Sequence, residues 1–336
     1  MKKQDVINMR EAMGTLPSQS PEKSYDYSDD ISSIYVKMTD WPRNPYEVLV
    51  RAVTATWGDD ATGSTQKWEK LTPENRYRVA LSTLTGNTLP QAQEGLQFQF
   101  EVNGLSRADF DQHARARIGA HFMSIGTRDN NKLDARFLLY DDITEQMKVD
   151  PAYKEKVESW IKLSKDLYEE TINQSESSWQ TGRSFLPQSI NHSYVFGMNY
   201  IALKGQMGRR LMACEQEGIV ALHWKIRKEL EDHFPLLASF LRPVCDKARK
   251  CVYMEGPEGM TKYFSNLFDG CGRWEIKNKE NAEYKEFNRS CSDYNRLREL
   301  DIPVLDPHEF VNYGPDDFDK LDEKDKQWFY DEEDRG

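Results

Sequence analysis

The chain has 336 residues, a length that predicts about two domains or one large domain with extensions. Hydrophobic residues make up 38% and charged residues 30%, and with 8 Trp, 16 Tyr and 15 Phe this composition excludes wholesale disorder. No apolar run approaches the ~18 residues of a membrane span. The first residues lack the apolar core of a signal peptide, so we expect a cytoplasmic protein. The net charge of −11 argues against a nucleic-acid-binding surface.

Five cysteines are present, an odd and sparse set that is typical of reduced cytosolic thiols. Four of them lie between Cys245 and Cys291 and have residue types that zinc accepts. No Cys-x-x-Cys pair occurs among them, and we therefore predict no metal site.

Composition divides the chain into four segments. They are an N-terminal extension over 1–44, a core domain over 45–236, an accessory region over 237–313 and an acidic tail over 314–336. The core domain carries the clearest periodic patterns. The tail is predicted to be solvated, with docking through Trp328, Phe329 and Tyr330 as the alternative.

The first clear element of the core domain is a strand. Apolar and polar residues alternate from Gln97 to Val102, and Gly104 is expected to end the strand. Ser106, followed three positions later by Asp109, is typical of a helix N-cap. We expect that helix to continue through Arg117.

Further elements follow in chain order. Residues 126–131 indicate a loop, and the apolar run over 135–140 indicates a short buried strand. Asp150 before Pro151 begins a helix, whose inward stripe is predicted to be Tyr153, Val157, Trp160, Ser164 and Leu167.

Two more helices are predicted after a chain break at Leu186-Pro187. The first covers about 193–213 and has small residues near one side, which would permit close approach of another backbone. The second covers about 217–232. The small residues are Ala202, Gly205 and Gly208, and the inward residues of the second helix are Ile219, Leu222, Ile226 and Leu230.

Arginines concentrate in a few places of this domain: Arg107, Arg115, Arg117, Arg128, Arg183, Arg209 and Arg210. Guanidinium is a planar fork of donors that stays charged, so several converging arginines make a phosphate site. In an acidic protein such a cluster would attract an anionic nucleotide. The alternative is that each arginine pairs with one of the 56 acidic residues.

His113 and His121 fall in the predicted helix that starts after Ser106. A histidine there is more often exposed or hydrogen-bonded to a partner than a proton carrier. We therefore assign neither a catalytic role.

The core domain also contains several short sequence motifs. They are Arg51 to Val53 (Arg-Ala-Val), Phe98 to Ala108 (Phe-Gln-Phe-Glu-Val-Asn-Gly-Leu-Ser-Arg-Ala), Gln112 to Arg117 (Gln-His-Ala-Arg-Ala-Arg) and Arg183 to Pro187 (Arg-Ser-Phe-Leu-Pro), followed by Asn199, Arg210 and His223 to Arg227 (His-Trp-Lys-Ile-Arg). In this order and spacing the chain resembles the flavin-dependent thymidylate synthases.

The resemblance implies a mixed α/β fold, with helices packed against a twisted sheet, and a homotetramer whose active sites are shared between subunits. It also implies site residues. They are Arg115, Arg117 and Asn199 for FAD; Gln112, Arg128 and Arg183 for the deoxynucleoside monophosphate; and Arg210 beside the pyrimidine ring, where it is the predicted catalytic residue.

The implied reaction is methylation of dUMP to dTMP. Methylenetetrahydrofolate gives the carbon, NADPH reduces the flavin, the flavin supplies the hydride, and tetrahydrofolate leaves. An arginine near a ring oxygen would stabilise the negative charge that develops on the base.

The sequence departs from the family signature in its flavin-binding half. The middle histidine of Arg-His-Arg is Ala116, the first serine position is Ala120, and the Asn-Glu pair falls on Phe122 and Met123. Arg128 matches only if one residue is inserted. Two alternatives therefore stay open: a pyrimidine deoxynucleotide hydroxymethylase without the hydride step, and a nucleotide-binding or assembly protein without turnover.

Overall fold

The computed structural model describes residues 8–9, 12–13, 22–28, 31–58, 64–126, 130–174, 178–213, 215–248, 274–278, 283–287 and 292–331. The chain divides into two compact units. The first comprises Met1–Ser33, Gly104–Phe110 and Ser124–Ser193, and the second comprises Ile34–Asn103, Asp111–Met123 and Tyr194–Gly336. Helices and small sheets occur together, which confirms the predicted mixed α/β class.

The strands form three small sheets. The described strands are β1 (Tyr27–Ser28), β2 (Tyr35–Asp40), β3 (Gln97–Ser106), β4 (Ala120–Ser124), β5 (Phe137–Leu138), β6 (Asn191–Asn199), β7 (Trp274–Asn278) and β8 (Glu283–Phe287). One sheet has the strand order β2-β3-β6-β4, and its antiparallel β2–β3 pair places Met38 opposite Phe100. Strands β1 and β5 pair in parallel, and β7 and β8 pair antiparallel.

The helices vary from one turn to more than six turns. Those described are α1 (Pro45–Thr54), α2 (Ser64–Glu69), α3 (Pro73–Leu84), α4 (Arg107–His113), α5 (Asp141–Val149), α6 (Pro151–Gln174), α7 (Ser178–Gly182), α8 (Tyr200–Arg210), α9 (Glu217–His233), α10 (Pro235–Ser239), α11 (Val244–Ala248), α12 (Ser292–Glu299) and α13 (Glu323–Lys326). No helix in the described ranges is long and apolar enough to cross a membrane.

The predicted strand and its following N-cap are confirmed. Phe98, Phe100 and Val102 are buried in β3, which continues past Gly104 to Ser106. Gly104 has φ +82°, a conformation that glycine adopts without strain, so the strand does not have to end there. Ser106 Oγ accepts the backbone N–H of Asp109 at 3.1 Å, and this bond fixes the start of α4.

The helix predicted to reach Arg117 ends at His113 instead. Beyond it the N–H groups of Arg115 and Ala116 bond three residues back, at 3.4 and 3.3 Å, in a tight turn. Gly119, at φ +70°, then leads the chain into β4, so that His121 lies on a strand. A left-handed glycine followed by an extended segment is incompatible with a continuous helix.

The helix predicted over 193–213 is wrong for its first third. Residues of β6 alternate in burial, with His192, Tyr194 and Phe196 directed inward, and this period of two is that of a strand. Asn199 then caps α8, because its Oδ1 accepts the N–H of Ala202 at 2.9 Å.

Helix α6 begins as predicted, since Asp150 Oδ1 accepts the N–H groups of Ala152 and Tyr153 at 3.0 and 3.1 Å. The predicted stripe is confirmed for Tyr153 and Val157, which pack against the buried cluster around Phe137, and for Ser164, which is buried. It is wrong for Trp160, which is 44% exposed, because Ile161, Lys165 and Tyr168 are buried instead. The burial of Lys165 is possible because its Nζ donates to the carbonyl oxygens of residues 132, 133 and 135 at 2.6, 2.7 and 2.5 Å.

The core of the second unit contains the confirmed helix α9 and part of the acidic tail. Ile219, Leu222, Ile226 and Leu230 of α9 are fully buried. The segment 314–331 is packed, in contrast to the solvated tail that we predicted. Phe329 stacks on Tyr46 with ring centroids 4.6 Å apart, and Arg76 Nη1 donates to the Phe329 carbonyl oxygen at 2.7 Å.

Candidate functional site

The candidate site lies in the second unit, around the C-terminal end of α8 and the start of α9. Arg210 is the last residue of α8 and forms an ion pair with Glu215. Both side chains are partly buried, with 26% and 18% of their surfaces exposed. Gln112, near the end of α4, donates from its amide to Gln216, the residue that precedes α9. The structure thus connects two predicted nucleotide-binding residues, Gln112 and Arg210, with one short segment of chain.

Two buried histidines lie next to Arg210. The rings of His113 and His223 meet edge to face, with centroids 5.1 Å apart and an interplanar angle of 78°. His113 Nδ1 lies 2.7 Å from the Tyr194 hydroxyl. The prediction that His113 is a partner-bonded histidine therefore agrees with its place in the structure.

Burial keeps both rings neutral. It lowers the pKa of His223 to about 3, with a smaller contribution from the charge of Arg210. The pKa of His113 is also well below its ordinary value, first through burial and then through His223 and Arg210. An uncharged pair of rings beside Arg210 leaves the guanidinium as the local positive charge.

The hydrogen bonds of His223 define its tautomer. Its Nδ1 lies 2.8 Å from the Ile219 carbonyl oxygen, which can only accept, so Nδ1 carries the proton. Its Nε2 lies 3.0 Å from the Gln206 side-chain oxygen, and two acceptors cannot bond to each other. The buried amide nitrogen of Gln206 has no partner among the described residues. Both groups are satisfied when Gln206 turns its amide nitrogen toward Nε2.

The predicted flavin residues have different environments. Arg115 and Arg117 lie in the turn between α4 and β4 and are exposed, and their guanidinium groups make no hydrogen bond or ion pair with other described residues. Free guanidinium groups fit the charge of the FAD diphosphate. Asn199 is only 8% exposed and its oxygen is used by the α8 N-cap. The two arginines thus fit the cofactor better than Asn199 does.

The remaining predicted nucleotide residues lie outside this cluster. Arg183 belongs to the first unit, in the 3-10 turn Arg183–Phe185, where it is exposed and its guanidinium group has no partner among the described residues. Arg128 lies outside the described residues. Sequence analysis missed Tyr194 and Gln206, whose contacts come from strand β6 and helix α8. The alternation of the large apolar residues Tyr194, Phe196 and Met198 was the signal for the first of these.

The described residues contain no group of three or more His, Cys, Asp or Glu side chains that could hold a metal ion. Of the five cysteines only Cys245 lies in the described ranges, and it is buried.

Comparison with known proteins gives a family match. The family model described as thymidylate synthase complementing protein matches residues 37–236, more than half of the 336-residue chain. No curated protein sequence matches the chain.

Two similar solved structures are of the UMP/dUMP methylase PolB from Streptomyces cacaoi. The one bound with 5-Br dUMP is 14% identical, with a TM-score of 0.48, and the match covers 64% of this chain and 96% of that chain. The one bound with 5-Br UMP is 14% identical, with a TM-score of 0.44, and the match covers 62% and 93%.

Proposed function

Because the chain belongs to the thymidylate synthase complementing protein family, we propose that it transfers a one-carbon unit to C5 of a pyrimidine deoxynucleoside monophosphate. The proposed substrates are dUMP and methylenetetrahydrofolate, and the product is dTMP. The family match supports the class of reaction, and the environments of the arginines support the class of ligand.

One observation carries the proposal at the level of residues. Arg115, Arg117 and Arg183 have no acidic partner among the described residues, although the chain holds 56 Asp and Glu and has a net charge of −11. Exposed guanidinium groups without a carboxylate partner are available for phosphate.

The proposed roles come from the family resemblance and agree with the chemistry of each side chain. Arg183 is assigned to the nucleotide phosphate, and Gln112 and Arg128 are assigned to further contacts with the nucleotide. Arg210, held by Glu215, lies beside the pyrimidine ring and stabilises the negative charge that develops on a ring oxygen as C5 forms its new bond. This charge stabilisation activates the base without a protein nucleophile.

Arg115 and Arg117 would hold the diphosphate of FAD. When bound and reduced by NADPH, the flavin supplies the hydride that converts the transferred carbon into a methyl group. The chain contributes orientation and positive charge to this step.

The hydroxymethylase remains the second candidate. The observation in its favour is the use of Asn199, a predicted flavin contact, as the N-cap of α8. Without the hydride step, water would add to the transferred carbon, and a hydroxymethylated nucleotide would leave. The nucleotide-binding residues are the same in both reactions.

We also propose a homotetramer. A Cβ built on Gly205 would meet nothing within 4 Å, so this part of α8 is open within the single chain and can accept a neighbouring backbone. Light scattering tests this: a mass of four chains supports the shared site, and a monomer at micromolar concentration contradicts it.

Product analysis tests the function. The purified protein is incubated with dUMP, methylenetetrahydrofolate, FAD and NADPH, and the nucleotide product is identified by mass spectrometry. We expect dTMP, with formation that depends on NADPH. A hydroxymethylated product formed without NADPH would support the second candidate, and unchanged dUMP would contradict both.

A further inference from the structure

A hydroxyl from outside the family-matched residues bonds to the turn that follows Arg210. The family match ends at residue 236, whereas Tyr294 belongs to α12. Tyr294 is only 2% exposed. Its hydroxyl donates to the Leu211 carbonyl oxygen and accepts the N–H of Ala213, both at 3.1 Å. One side chain thus bonds to both ends of residues 211–213.

The other bonds of this turn do not hold the N–H of Ala213: Met212 donates to the Arg209 carbonyl and Glu215 donates to the Met212 carbonyl, both at 3.0 Å. The Leu211 carbonyl also accepts from Trp224 Nε1 at 3.1 Å, so it keeps a partner without Tyr294. The N–H of Ala213 has no second acceptor among the described residues. Since the turn joins Arg210 to Glu215, the position of Ala213 affects the ion pair between them.

The chain that follows α12 packs on the core of the second unit. Phe310, from the same C-terminal region, is 4% exposed and lies 6.4 Å from the Trp224 ring of α9. The guanidinium groups of Arg227 and Arg242 lie 4.8 and 4.7 Å from the Phe310 ring centroid. The chain that follows α12 is therefore anchored to α9, the helix after the turn.

We propose that Tyr294 is a positioning residue of the nucleotide site, whose hydroxyl fixes the 211–213 turn and so orients Arg210 toward the pyrimidine. The effect on the nucleotide rests on the proposed function, in which Arg210 acts on the base. The fixing of the turn does not depend on that function.

Tyr294→Phe tests the proposal, because it keeps the ring and removes the hydroxyl. The matched control is Tyr77→Phe in the same unit: Tyr77 is fully buried, and its hydroxyl donates to the Gly314 carbonyl at 2.7 Å, away from the turn in sequence. Hydrogen exchange is measured on the full chain. We expect exchange of Ala213 to be about tenfold faster in Tyr294→Phe than in Tyr77→Phe. Equal exchange in both variants would overturn the proposal.

A double-mutant cycle separates positioning from a merely structural role. Tyr294→Phe should lower kcat by about tenfold in the wild-type background and have no further effect in an Arg210→Ala background. An equal loss in both backgrounds would show that Tyr294 does not act through Arg210. If the wild-type chain turns over no nucleotide, the proposed function fails, and the exchange measurement still decides whether Tyr294 fixes the turn.

Discussion

The side chain of Asn199 lies directly over Gly119. A Cβ built on Gly119 would fall 2.5 Å from Asn199 Nδ2, and the N–H of Asn199 donates to the Gly119 carbonyl at 2.8 Å. Asn199 cannot easily move aside, because its oxygen caps α8. Gly119 also has φ +70°, so the close approach and the backbone conformation both require glycine.

Gly119→Ala should therefore destabilise the fold by about 2–4 kcal/mol, as measured by urea denaturation. Gly197→Ala is the matched comparison. A Cβ there would lie 2.1 Å from His121 Cε1, but His121 is an exposed side chain on β4 and can rotate away. We expect Gly197→Ala to cost less than Gly119→Ala. The reverse order would contradict the assignment of Asn199 as a fixed cap.

The buried histidine pair makes stability depend on pH. Because burial depresses the pKa of His113 and His223, the unfolded chain takes up protons first as pH falls below about 6.5. Stability contributed by the neutral rings is complete above that pH and is lost on acidification toward the folded value of about 3 for His223. We expect His223 to account for a loss of about 2 kcal/mol between about pH 7 and about pH 5, and His113 to add a loss in the same direction.

His223→Gln checks this account, because glutamine does not titrate. The free energy of unfolding of this variant should fall less steeply between the two pH values than that of the wild type. His308→Gln, which replaces an exposed histidine, should keep the wild-type slope. Parallel curves for His223→Gln and the wild type would mean that His223 is not a buried neutral ring.

The elements that could be predicted from sequence are those set by neighbours in the chain. The alternation over 97–102, the Asp150 cap and the inward stripe of α9 each depend on local periodicity or a local hydrogen bond. Residues 193–199 do not form the predicted helix. Their alternation is that of a strand, and this strand runs directly into the helical sequence that follows Asn199.

Contacts between distant positions gave no signal in the sequence. Tyr294 bonds to the backbone of residues 211 and 213, and a tyrosine hydroxyl bonding to main-chain atoms leaves no residue pattern. Lys165 counts as polar in any hydropathy pattern, yet it is fully buried because three carbonyl oxygens surround its amine. Two residues of the candidate site, Gln112 and Arg210, were predicted from the sequence, whereas its histidine pair emerged only from the fold.

Lys165→Met should destabilise the first unit by about 3 kcal/mol, because the carbonyl oxygens of residues 132, 133 and 135 lose a shared donor. Lys162→Met on the same helix replaces an exposed lysine and should be nearly neutral. Thermal unfolding of the two variants compares them directly. Equal melting temperatures would show that the amine of Lys165 does not hold this loop.

Arg183 should set nucleotide affinity. Arg183→Ala is expected to weaken dUMP binding by about 2–4 kcal/mol in calorimetry, since a phosphate would lose a charged partner. Arg183→Lys should not restore binding fully, because a point charge cannot replace a two-pronged contact. The control is Arg78→Ala, which removes an exposed arginine paired with Asp316 at 2.8 Å. If Arg183→Ala binds both dUMP and dCMP as tightly as the wild type does, Arg183 is not part of the nucleotide site.

The most direct test of the central claim is the release of tritium from C5-labelled dUMP in the presence of methylenetetrahydrofolate, FAD and NADPH. Both candidate reactions replace the hydrogen at C5, so we expect protein-dependent release of tritium into water. Arg210→Ala should slow release by on the order of a hundredfold while changing dUMP affinity less. Arg209→Ala, which replaces the exposed neighbouring arginine, should release tritium at nearly the wild-type rate. A folded wild-type protein that binds dUMP and releases no tritium, or an Arg210→Ala variant as fast as the wild type, would contradict the account.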